Sequence, residues 1–314
     1  MSEARPRYRS FVQDSARWDG FAFRPGDIVI STPPKAGTTW TQMICALLIF
    51  QTPVPGPALS EISPWLDMLT RRREDVLALL DAQGHRRFIK THTPLDGLPD
   101  DERVTYVCVG RDPRDVAVSM YHHQQNIDRD TLTQARAQAV GLDDVAELLA
   151  LDPPTNADTP EAFFWHWIDN PAAPVHTTSS LRATLHHYEE ALRAADRANV
   201  VVLHYGDLQA DLAGEMRRLA DRLEITVAEC VWPELVEAAS FEGMRARADQ
   251  LVPNAALRVW KQPSRFFHSG TGGGWRAFCD ADALRRYEAR VGELAPAAVA
   301  EWAHHGWRGA RPAP

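Results

Sequence analysis

The chain has 314 residues, 45% hydrophobic and 24% charged, so it can bury a full core and carries no compositional mark of disorder. Its formal net charge of -8 argues against a nucleic-acid partner, which demands a basic face, yet leaves room for a small anion held by a few placed cations. Cys45, Cys108, Cys230 and Cys279 lie far apart without C-x-x-C spacing and read as buried small hydrophobes, not as a disulfide frame or zinc site.

No signal-peptide pattern opens the chain, and the longest apolar run, residues 44–50, is too short to span a bilayer. A soluble cytoplasmic protein with no membrane partner is expected. Residues 27–32 read as a strand, followed by a helix over 38–50. A second strand covers 87–92, and a third covers 104–110 before a helix from 113 to about 126. Loops at 151–160 and 171–180 flank an aromatic cluster at 163–167, which reads first as core and second as an acceptor wall. The fourth strand is 199–205, with a helix from 207 to about 223. A Gly-rich stretch at 263–277 suggests a ligand-covering loop, and the tail at 309–314 is expected to fray. Strands apolar on both faces, alternating with helices, predict a parallel sheet flanked by helices. The fold class is α/β, a three-layer α/β/α, P-loop-like nucleotide-binding architecture in one domain over 1–314. In such sheets ligands collect at the carboxyl ends of the strands.

Between the first strand and its helix stands P-K-A-G-T-T-W, residues 34–40. A helix N-terminus there offers unpaired N–H groups, Gly37 allows close backbone approach, Thr38 and Thr39 add hydroxyls, and Lys35 adds a cation. An ordinary strand–helix corner gains nothing from such a lysine. The Walker order G-x-x-x-x-G-K-[ST] is absent, and no magnesium-binding acid follows a hydrophobic strand, so a metal-free phosphosulfate fits better than a nucleoside triphosphate. On the second strand Lys90 and His92 are two apart and share a face. A histidine beside a lysine at a strand end is a base candidate, with an ordinary pKa of ~6.5. In V-G-R-D-P-R-D-V-A-V-S, residues 109–119, Arg111 and Ser119 suit a terminal phosphate. Equally, Arg111, Asp112, Arg114 and Asp115 suit a surface ion-pair lattice worth little.

Together these segments resemble the cytosolic sulfotransferase family, whose loop usually reads P-K-S-G-T-T-W, with Ala36 here in place of Ser. The resemblance runs from about residue 26 to 276, with a helical region and tail at 277–314. It implies that 3′-phosphoadenosine 5′-phosphosulfate (PAPS) gives its sulfuryl group to a hydroxyl or amine of a small acceptor. It further implies that Lys35 contacts the phosphosulfate, Trp40 packs on adenine, and K-T-H supplies His92 as base with Lys90 near the transferring group. The family's R-[ND]-P-[KR]-D-x-x-x-S gives Arg111 and Ser119 the 3′-phosphate. Tyr205 and Phe241 stand where the family places adenine contacts, although Phe241 reads nearly as well as plain core. The last family motif, R-K-G-x-x-G-x-W-K, here is H-S-G-T-G-G-G-W-R at 268–276, so His268, Ser269 and Gly270 inherit its place with fewer charges. Arg265 or Arg258 would compensate. The usual dimer motif is missing, which leaves oligomeric state open. Expected acceptor walls are Trp65, Tyr121, and some of Phe163, Trp165 and Trp167, favouring an aromatic or apolar alcohol. The histidine pairs 122–123, 186–187 and 304–305 show no metal-ligand set, with His122 and His123 candidates near the acceptor. The rivals are a metal-dependent P-loop kinase and a nucleotide-binding module without turnover.

Overall fold

The computed structural model describes residues 5–155, 157–251, 257–266 and 270–310. Four strands, β1 (Ile28–Ser31), β2 (Phe88–Thr91), β3 (Thr105–Gly110) and β4 (Val200–His204), form one sheet in the order β2-β1-β3-β4. All pairings are parallel, with Val29 opposite Ile89 and Tyr106, and Val107 opposite Val201. Strand side chains alternate between two cores, as the period of two requires. Val29, Ile89, Cys108 and Val202 join the core holding Phe164, Trp167, Tyr188 and Trp302. Ile28, Ile30, Phe88 and Val201 join the opposite core with Met43, Leu47, Met216 and Leu235. Helices Thr38–Phe50, Leu212–Arg222 and Trp232–Ala239 build one outer layer, and Pro113–Asn126, Pro160–Asp169, Leu181–Arg193 and the C-terminal helices build the other. The three-layer expectation holds.

Each expected strand is one or two residues shorter than read, because its outermost residues do not pair. The helix expected over 207–223 is two helices, Tyr205–Ala210 and Leu212–Arg222. Asp211, at φ −153°, breaks them, and its carboxylate accepts from Gly214 N at 2.8 Å. A short acid three residues before a glycine N–H is an N-cap, and it outcompetes continuation of the first helix.

The cysteine expectation is half right. Cys45 and Cys108 are buried, but Cys230 is exposed and Cys279 only half-buried; all four are free thiols. Cys230 sits in the turn before helix Trp232–Ala239, where no core face is available. In the aromatic cluster, Phe164 and Trp167 are core, while Trp165 packs under the Arg286 guanidinium at 3.9 Å. No described helix is long and apolar enough to cross a membrane.

Candidate active site

The turns after β1, β2 and β3 converge on a cavity of about 1210 Å³ at the carboxyl ends of the strands. Lys35, Gly37, Thr38, Thr39 and Trp40 line it, as do Lys90, His92, Arg111, Ser119, Tyr205, Phe241 and Gly270. Of the other expected site residues, Ala36 is fully buried and does not face the cavity. His268 and Ser269 lie outside the described residues, and neither Arg258 nor Arg265 faces the cavity.

The loop after β1 is shaped for close approach. Gly37 caps helix Thr38–Phe50 at φ 117°, and a Cβ there would meet the Tyr205 ring at 3.2 Å. Thr38 Oγ1 is 2.5 Å from Thr32 Oγ1, which fixes the first helical turn. Lys35 takes φ 67°, a left-handed conformation costing a side-chain-bearing residue roughly 1–2 kcal/mol. That conformation sends the Lys35 ammonium 4.7 Å over the Phe266 ring. Lys35 is pushed down to about 7, chiefly by burial and then by repulsion from Arg111 and Lys90. Some of its surface still opens to the cavity, so an anion can reach it.

Arg111 begins the turn after β3. Its guanidinium stacks 4.2 Å over Tyr205 and donates to the Lys35 carbonyl at 3.2 Å, while its Nε is buried without a partner. Tyr188 clamps its backbone: Arg111 N donates to the phenol oxygen at 2.9 Å, and that hydroxyl donates to Arg111 O at 2.8 Å. A buried guanidinium N–H left unpaired is costly, and an acceptor placed in the cavity satisfies it. Of the lattice reading only the Arg114–Asp112 pair is present, and it is largely buried, not a surface pair. Asp112 accepts twice from Arg114, at 2.9 and 2.7 Å, and Arg114 covers Trp275 at 4.1 Å. Asp115 accepts from Gly273 N at 2.6 Å, tying the Gly-rich loop to helix Pro113–Asn126.

The β2 side holds a histidine of fixed tautomer and a second lysine. His92 Nδ1 is 2.7 Å from the Thr32 carbonyl, which can only accept, so Nδ1 bears the proton and Nε2 is left with a lone pair. Burial, then the Lys90 charge, holds the ring well below the usual histidine value, so it is neutral at physiological pH. Trp65 packs edge-on against it with centroids 4.7 Å apart, and the same indole lies 4.2 Å from Lys90 Nζ. Lys90 is pushed down to about 8 by burial, opposed by Asp67. Asp67 is fully buried, and its Oδ2 accepts from Thr91 and Thr93 at 2.7 and 2.6 Å.

Beside the loop after β1, Trp40 donates from Nε1 to Ala239 O at 2.8 Å and meets Tyr205 edge-on at 4.9 Å. Phe241 lines the cavity instead of the core, and Gly270, at φ 66°, passes so close that a Cβ would strike the ring at 2.5 Å. The other end is lined by Phe11, Trp65, Met68, His123, Phe163 and Trp260. Tyr121 is not among the walls; its hydroxyl donates to Asp158 O at 3.0 Å. His123 does face the cavity, held neutral by burial and by Lys35, Lys90 and His92. His186 groups with Asp96 and Glu190 at metal-ligand spacing, unlike the expectation for the histidine pairs, but none of the three faces this cavity.

Sequence reasoning missed Asp67, Tyr188, Phe11 and Phe266. Asp67 alone left a sign, a lone acid inside the apolar run W-L-D-M.

A sulfotransferase domain model matches residues 25–296. A glycolipid sulfotransferase from Mycobacterium bovis is 42% identical over 321 residues, covering 98% of this chain and 96% of that protein. In structure the chain is similar to retinol dehydratase bound to retinol and PAP, with a TM-score of 0.65, 22% identity, and coverage of 89% and 84% of the two chains. A mouse sulfotransferase, SULT7A1, complexed with PAP also matches at a TM-score of 0.65 with 18% identity, covering 89% and 87%. A family match over most of the length, joined to a close relative aligned end to end, leaves the kinase and non-catalytic readings without support: the chain belongs to the sulfotransferase family and is a sulfotransferase.

Proposed function

We propose that the enzyme transfers a sulfuryl group from PAPS to a hydroxyl of an amphiphilic acceptor of the glycolipid kind, using His92 as general base and no metal. The observation that carries this is the fixed tautomer of His92 beside two lysines in one cavity. The residues present fit the donor. Gly37 and the turn at Thr38 and Thr39 suit its 5′ end, and the orphaned Arg111 Nε with Ser119 suits its 3′-phosphate. Trp40, Tyr205 and Phe241 offer rings for adenine. When bound, PAPS supplies an activated sulfuryl group, with adenosine 3′,5′-bisphosphate as the leaving molecule.

His92 Nε2 takes the acceptor's proton as its oxygen bonds to sulfur, a contribution of roughly 10²–10⁴ in rate. Lys35 and Lys90 offset negative charge that grows on the sulfuryl and bridging oxygens, inside a cavity where each charge is poorly screened. Trp65 holds His92 and Lys90 in place, and Asp67 keeps Lys90 basic enough to be charged near neutrality. The acceptor class follows the relative's name and the apolar walls opposite the donor end.

The test is incubation with PAPS and a panel of neutral glycolipids, alkyl glycosides and phenols, following release of adenosine 3′,5′-bisphosphate. Transfer to the glycosides is expected, and His92→Ala should lower kcat by about 10²–10⁴ while leaving bisphosphate affinity within about threefold. Wild-type rates in His92→Ala, or transfer to phenols alone, would overturn the base or the acceptor class respectively.

A further inference from the structure

We propose that the apolar chain of the acceptor leaves the cavity over the corner formed by helices Arg129–Val140 and Val145–Leu151, where Leu142, Leu149 and Leu151 set the preference for chain length. This rests on the amphiphilic-acceptor reading above and adds the route of the tail.

Five large apolar side chains are exposed among the described residues: Val54, Val140, Leu142, Leu149 and Leu151. A single exposed leucine needs no account, but four of these five fall within residues 140–151. Leu149 is 39% exposed, yet it also lines the cavity alongside Leu132 and Phe11. Leu149 therefore belongs to both the exposed set and the inner wall.

The corner is fastened, not loose. Arg136, fully buried, donates to Phe11 O at 3.0 Å and to Asp144 at 2.7 Å, and Asp144 also accepts from Arg9 at 2.6 Å. These bonds hold the strip against the N-terminal wall of the cavity. Charge selects the occupant. Residues 129–151 carry Asp130, Asp143, Asp144 and Glu147 against Arg129 and Arg136, an excess of acid that opposes an anionic bilayer. A neutral chain on one acceptor molecule suits it. The cavity volume of about 1210 Å³ leaves space for donor and head group together.

The experiment is calorimetry on protein loaded with adenosine 3′,5′-bisphosphate, titrated with methyl glucoside and with dodecyl glucoside below its micellar concentration. Wild type should bind the dodecyl compound more tightly by at least about tenfold, since each buried methylene adds to affinity. The double variant Leu142→Asp/Leu151→Asp, altered only at exposed positions, should lose that preference while binding bisphosphate normally, which shows it folded. Equal binding of both glucosides by wild type, or an intact preference in the variant, overturns the route. So does tight binding to phosphatidylglycerol vesicles that the variant abolishes while its dodecyl preference persists. Sulfation of the glucosides by wild type is scored separately. If neither is sulfated but the binding preference behaves as expected, the acceptor head group is wrong and the route stands.

Discussion

The proposed contact of Lys35 and Lys90 with the donor predicts a pH response. Without an anion they are held at about 7 and about 8, mainly by burial. A bound phosphosulfate or bisphosphate favours their charged forms and must raise both values. Binding therefore takes up protons between the free and bound pKa values. Affinity for adenosine 3′,5′-bisphosphate should be greatest below about pH 7 and fall as pH rises beyond it. Calorimetry in buffers of different ionisation enthalpy measures the uptake. Constant affinity from about pH 6 to 9, with no proton uptake, would show that these amines do not meet the anion. The left-handed backbone at Lys35 belongs to the same economy of geometry: it places an amine where an unstrained loop would turn it away.

At the scale of the element, the helix pair after β4 depends on one short acid. Removing the Asp211 carboxylate strips the N-cap of helix Leu212–Arg222 and an ion pair to Arg308 at 2.7 Å. Asp211→Ala should lower the midpoint of denaturant unfolding, nearly all through loss of the cap, since the ion pair is exposed. Denaturant titration of the two proteins checks it; equal midpoints would mean that the helix starts without its cap. The sequence reads as one helix from residue 207, whereas the first of the pair starts at Tyr205 with His204 as its cap, and Asp211 caps the second. Legibility follows the same line elsewhere. The Lys90–His92 pairing, the Gly37 turn and the burial of the strands on both faces were readable, because each depends on neighbours within a few residues. The clamp of Tyr188 on Arg111 and the support of Asp67 under Thr91 and Thr93 were not. They join residues 77 and more than 20 positions apart, and no local pattern encodes such a meeting. Phe241 shows the limit plainly: by itself it reads nearly as well as core, only the family resemblance sets it beside the nucleotide, and it lines the cavity against Gly270.

Over the whole molecule, the N-terminal segment is bound to distant parts by a small polar cluster. The Tyr8 hydroxyl is 2.7 Å from Asp96 Oδ2 and 2.6 Å from His186 Nε2, and both partners lie on other elements. Burial works to lower the His186 pKa, but the hydrogen bond and charge of Asp96 outweigh it, and the net value is raised above 6.5. A raised folded value means that the stabilisation is complete below the unfolded pKa and disappears as pH climbs through the folded one. The gap in unfolding free energy between wild type and His186→Gln should therefore be widest near pH 5.5 and narrow towards about pH 8. A gap that grows with pH would assign the cluster the opposite protonation.

The same anchor has a practical corollary. Residues 10–12 line the cavity on the side proposed for the acceptor, two positions beyond the tethered tyrosine. On that proposal, purification tags, fusions or clipping at that terminus are expected to alter substrate choice. Two preparations differing only there would agree on how they treat the nucleotide and disagree on what they sulfate.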